Sequence, residues 1–132
     1  MIGLDTNVLV RYIMQDDAKQ SRRATRLIES LSADDPAFVP LVALVELVWV
    51  LSSSYDLDRA QVAQALDAVI RSRELRIDRA DLVVQALRRF SAGSADFADC
   101  LIERRASDAG CAETLTFDVA AARSAGMKLM PA

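Results

Sequence analysis

Five carboxylates in this 132-residue chain stand where a side chain can do chemistry. Asp5 ends the short apolar run "MIGL", and Asp118 ends "ETLTF". Asp96 and Asp99 lie three apart in "SADFADCLIERR", and Glu46 is the only polar residue in "LVALVELVWVL". Each has a plainer alternative. Aspartate is a favoured helix N-cap, and a glutamate in an apolar helix can pair with an arginine or lie at an edge open to solvent. Several ionised carboxylates brought to one place repel one another, and a bound cation keeps such a cluster ionised. Oxygen donors in a chain without histidine select Mg²⁺ or Mn²⁺ over zinc or copper. Such a cation polarises a phosphate and makes hydroxide from bound water, so phosphodiester chemistry is the natural task.

The absence of histidine removes Ser-His-Asp and Cys-His catalysis and the H-E-x-x-H metalloproteases. Cys100 and Cys111 have no C-x-x-C spacing and read as free thiols. The 52% hydrophobic and 27% charged content suits a globular domain with a core of ordinary size. A net charge of −3 argues against a protein that simply coats nucleic acid, although bound cations would offset acidic ligands. The longest apolar run is interrupted by Glu46 and too short to span a bilayer, and no signal-peptide pattern opens the chain. The expected setting is therefore cytoplasmic, with no membrane.

Short apolar strands are expected at "MIGL", "AFV", "ELRI", "ETLTF" and "KLM". Between them lie segments with helical apolar spacing, such as Val62, Ala65, Leu66, Val69 and Ile70. "LVALVELVWVL" is apolar almost all round and reads as a buried helix carrying Glu46. Alternating strands and helices predict one α/β domain over residues 1–132 with a mostly parallel, about five-stranded sheet. Ligands of such sheets bind beyond the carboxyl ends of the strands, where Asp5 and Asp118 fall.

"MIGLDTNVLVRY", the glutamate of "LVALVELVWVL", "DFADCLIERRASDAGC" and "TLTFD" occur in the order found in a known family. With these pieces the chain resembles the PIN-domain ribonucleases, and among them the VapC-type toxins of bacterial toxin–antitoxin pairs. The resemblance implies a three-layer α/β/α sandwich and a metal-dependent endoribonuclease that hydrolyses RNA with metal-activated water. It implies Asp5, Glu46, Asp99 and Asp118 as catalytic metal ligands, with Asp96 as a supporting ligand. Thr6 and Asn7 match the polar pair that orients the first aspartate, and Thr116 matches a hydroxyl beside the last. Val119 departs from the pattern, since many relatives carry a polar or basic residue there. A homodimer and an antitoxin protein whose tail blocks the cleft are implied as well.

Asp96 is best placed as an N-cap, and Asp99, one turn in, as the direct ligand. Arg71, Arg73, Arg76 and Arg79, with the pairs Arg88–Arg89 and Arg104–Arg105, are candidates for RNA contact or for a solvated face. Two readings compete with the nuclease. One is a catalytically inactive PIN-fold module that docks RNA or protein. The other is a small-molecule phosphatase or receiver domain, which Asn7 disfavours because a second aspartate belongs there.

Overall fold

Aspartate caps five of the seven helices in the computed structural model, which describes residues 1–132. The first backbone N–H groups of a helix have no partner within it, and an aspartate oxygen satisfies one of them. The chain divides into two compact units, Met1–Ala80 and Asp81–Ala132.

In the first unit, α1 (Thr6–Met14) starts at Asp5 and α2 (Ala18–Glu29) at Asp17. β1 (Ala37–Val39) pairs in parallel with β2 (Leu75–Ile77), matching Ala37 to Leu75 and Val39 to Ile77. These four side chains are buried, while the intervening Arg76 is exposed, as the two-residue period of a strand requires. The segment "MIGL" contributes one parallel bridge, Gly3 to Phe38, held by Leu4 N–H to Phe38 O at 2.9 Å and Phe38 N–H to Ile2 O at 2.6 Å. α4 (Arg59–Arg71) opens with a reciprocal capping box between Asp58 and Gln61.

α3 (Leu41–Ser53) differs from the helix expected there. Ala43, Leu44, Leu47, Val48 and Leu51 are buried, but Val42 is 78% and Trp49 68% exposed. Glu46 lies on the same open side and is exposed. Uniform apolarity says that a helix can be buried, not which of its faces is covered. The helix follows Pro40, which supplies no side-chain cap, and Asp78 Oδ2 instead accepts from Leu41 N–H at 3.2 Å.

In the second unit, α5 (Ala80–Ala92) and α6 (Phe97–Asp108) are joined by an edge-to-face contact of Phe90 and Phe97, with centroids 6.0 Å apart. β3 (Leu115–Thr116) and β4 (Lys128–Leu129) pair in parallel around α7 (Val119–Ser124). Cys100 is buried and Cys111 exposed, both as free thiols. The architecture is α/β, and each of the five expected strand sites takes part in parallel pairing. The pairing comprises two two-stranded sheets and one bridge, less than the about five-stranded sheet that the sequence suggests. No helix is long and apolar enough to cross a membrane.

Two glycines sit past helix ends in the left-handed region, Gly110 at φ +96° and Gly126 at φ +80°. Gly110 closes α6 with paired bonds, its own N–H to Ser107 O and Cys111 N–H to Ala106 O, both at 3.0 Å. A Cβ on Gly110 would meet open space, whereas one on Gly126 would run into the Arg89 guanidinium beside Glu103. Gly110→Ala should therefore cost about 1–2 kcal/mol from backbone strain alone. Gly126→Ala should cost more, because Arg89 must also move. Urea midpoints of the two variants check the order, and equal losses would contradict the close approach.

Candidate functional site

The acidic residues owe their placement to helix starts. Asp5 Oδ1 accepts from Thr6 N–H at 2.7 Å, and its Oδ2 accepts from the Asn7 side-chain amide at 3.3 Å. Asn7 thus orients the carboxylate. The Thr6 hydroxyl turns the other way, is buried, and donates to Ala43 O at 3.4 Å. That contact ties the start of α1 to α3 one turn before Glu46. Glu46 accepts no side-chain bond that would fix it, and although its helix reads as buried in the sequence, Glu46 lies at an edge open to solvent, one of the settings left open for it.

In the second unit Asp96 Oδ1 accepts from Asp99 N–H at 3.1 Å and caps α6. Asp99 is half-buried in the first turn, between Phe97 and Cys100, which are both buried. Asp118 Oδ1 accepts from Ala120 N–H at 2.8 Å and Ala121 N–H at 3.4 Å, capping α7. The Thr116 hydroxyl accepts from Asp118 N–H at 3.0 Å, so it fixes the backbone from which that carboxylate projects. Burial first, then the charges of Asp96 and Asp118, push the Asp99 carboxyl above its ordinary value. Asp96 and Asp118 are thus close enough for their charges to act on Asp99.

The comparison with known families decides the fold family. The PIN domain model matches residues 2–126. The chain belongs to the PIN domain family. It is also 23% identical over 114 residues to the VapC ribonuclease of Aquifex aeolicus (strain VF5), an alignment covering 86% of this chain and 84% of that protein. All five candidate carboxylates lie inside the span matched to the PIN domain.

Oxygen donors that repel one another suit a hard divalent cation by their chemistry. In this PIN domain no three such side chains stand gathered as a formed cation cage. Asp96 and Asp118 each use Oδ1 in a cap and keep Oδ2 unbonded, so loading a cation asks the free oxygens to turn toward it.

One acidic residue escaped the sequence reading. Glu103, one turn beyond Asp99 on α6, has a side chain only 12% exposed and receives Arg104 through two bonds of 2.6 and 2.7 Å. Arg89 of α5 stands 4.0 Å away. The bond from Arg104, against the cost of burial and aided by the charges of Arg104 and Arg89, holds Glu103 below its ordinary value. Glu103 is thus neutralised and anchors the helix that carries Asp99. Its neighbour in sequence, Arg104, was the only available signal.

The raised Asp99 carboxyl has a definite pH signature. Below the ordinary aspartate value it is protonated in folded and unfolded chains alike, and costs nothing. Stability is lost as pH rises through the higher folded value, where only the folded protein still resists ionisation. In chelator, Asp99→Asn should therefore raise the urea midpoint at pH 7, with the gain fading as the solution is acidified below the ordinary aspartate range. A gain that is equal at all pH values, or absent, would contradict the raised carboxyl.

Proposed function

We propose that this PIN domain is a Mg²⁺- or Mn²⁺-dependent endoribonuclease, the toxin of a toxin–antitoxin pair. The observation that carries the reading is the match to the PIN domain across residues 2–126, which spans all five carboxylates, with Asp99 half-buried in the first turn of α6 beside its cap Asp96. The name of the Aquifex relative, VapC ribonuclease, supports RNA as the substrate. Asp5, Glu46, Asp99 and Asp118 are the residues that would hold the cation, with Asp96 in support. When bound, the cation polarises the phosphate and makes hydroxide from water at neutral pH.

The chain's own residues prepare that step. Asn7 and the Thr6 N–H hold Asp5 in one rotamer. Thr116 holds the turn before Asp118, and Phe97 anchors the start of α6 so that Asp99 projects from a fixed backbone. The positive end of α6 favours the ionised form of Asp99 against its acidic neighbours. The five paired β segments are proposed as strands of one mostly parallel sheet in a three-layer α/β/α domain spanning residues 1–132. The protein is expected to work in the cytoplasm with an antitoxin protein as partner.

RNA cleavage should need Mg²⁺ or Mn²⁺, stop with EDTA, and fall by at least about a hundredfold in Asp5→Asn and in Asp99→Asn, the scale of a lost electrostatic catalyst. Asparagine caps a helix as well as aspartate does, so Asp5→Asn should keep its fold. Asp99 is not a cap, its own N–H being held by Asp96, so Asp99→Asn should keep its fold too. Cleavage by Asp5→Asn in chelator would overturn the reading.

A homodimer is the proposed assembly, and the exposed apolar pair Val42 and Trp49 on α3 is the face proposed to be covered in it. Trp49 is the single tryptophan, so its emission should shift to shorter wavelength as protein concentration rises through the dimerisation range. Trp49→Glu should sediment as a monomer. Unshifted emission with unchanged sedimentation would remove this face from the dimer.

A further inference from the structure

The strongest concentration of free positive charge lies on a helix that carries none of the carboxylates of the proposed site. Lys19, Arg22, Arg23 and Arg26 of α2 follow the i, i+3, i+4, i+7 spacing of one helix face. All four are exposed and none is in an ion pair. Glu29, in the last turn, is the only acidic residue within the helix. Several cations elsewhere are matched: Arg71 to Asp67, Arg104 to Glu103, Arg105 to Asp108, Lys128 to Glu113. Lys19 and Arg22 also sit near the positive end of the helix dipole, where cations are disfavoured. Fold stability therefore gives no account of this face in a chain whose net charge is −3.

The same helix walls a groove of about 620 Å³, lined by Asn7 and Arg11 from α1 and by Gln20, Arg23 and Leu27 from α2. Its lining includes Asn7, the residue that donates to Asp5. Arg11 is already oriented in the wall. Its Nε donates to Gln20 at 2.7 Å, and its Nη1 donates to Asp16 and to the Tyr55 hydroxyl, each at 3.1 Å. Its Nη2 donates to no protein acceptor, so two N–H groups remain for a ligand held at little further entropic cost. Arg23 adds an unneutralised guanidinium to the same lining.

We propose that the basic face of α2, with the α1–α2 groove, is the track that holds the phosphate backbone of single-stranded RNA and leads it to Asp5. This rests on the reading of the protein as a ribonuclease. The four cations span about 10 Å along the helix axis, enough for successive phosphates of a single strand. Guanidinium groups suit phosphate through paired N–H donors. An acidic protein segment would satisfy the same charges. RNA is favoured because the groove's lining includes the residue that orients Asp5.

The test measures anisotropy of a short fluorescein-labelled single-stranded RNA with the full chain in EDTA, between about 50 and about 200 mM salt. Replacing Lys19, Arg22, Arg23 and Arg26 together by glutamine should lower the salt slope by about 0.7 per contact, close to 3 in all, and weaken binding at low salt by about tenfold or more. Glutamine has a helix propensity near that of arginine, and circular dichroism confirms that α2 persists. A second variant, with Arg22, Arg23 and Arg26 changed to lysine, should keep the slope. Glutamine at Arg71, Arg73 and Arg76 should leave both slope and affinity as they were.

A quadruple variant with the wild-type slope overturns the proposal, as does wild-type protein that binds no RNA. Loss of binding to an acidic peptide such as polyglutamate, with RNA binding intact, also overturns it by assigning the face to a protein. Cleavage is followed separately with Mg²⁺. Absent cleavage with α2-dependent RNA binding would remove the ribonuclease reading and leave the track in place.

Discussion

An aspartate that begins a helix gives one oxygen to the backbone and keeps the other. Asp96 and Asp118 do so, Asp5 lends its second oxygen to the Asn7 amide, and the rest of the candidate site depends on these caps. The cap fixes the carboxylate's position through the geometry of the helix itself, so no dedicated scaffold of buried hydrogen bonds is needed. It also explains why exposed aspartates, which would otherwise sample many rotamers, project from defined places. The fold requires only an acceptor at each cap, whereas metal chemistry requires charge. Those two demands are separable by exchanging an oxygen for an amide, and an inactive binding module is one such exchange away.

Charge is handled differently along the chain. Glu103 is nearly buried and matched by Arg104 and Arg89, which turns an acidic residue into an anchor for α6. Asp99, one turn earlier, has acidic neighbours and no arginine, and remains under electrostatic tension. The opposite imbalance occurs on α2, where four cations lack partners. Unmatched charge of both signs in a small domain is costly to retain. It is intelligible in a protein that meets a cation and a polyanion together.

Much of this was legible in the sequence. A strand ending in aspartate, followed by a helical pattern, placed Asp5 and Asp118 correctly at helix starts, and the spacing of Asp96 and Asp99 marked cap and first turn. The helix of Glu46 was misjudged because "LVALVELVWVL" is apolar on every side, and composition cannot reveal that Val42 and Trp49 face outward. The strands were located but not measured, since pairing length depends on partners far along the chain. The basic face of α2 was present in plain spacing. Spacing alone does not show which cations lack partners, and several of the other arginines that could meet RNA are neutralised by neighbours.

The distant cap on α3 bears on how the protein is made. Leu41 N–H finds its acceptor in Asp78, so the helix that carries Glu46 lacks its N-terminal partner until a segment 37 residues further on has emerged from the ribosome. The acids themselves run from Asp5 to Asp118. A nascent chain therefore completes the set only after Asp118 has emerged. For a protein proposed to cut RNA, this ordering keeps its chemistry away from the message and the ribosome that are producing it.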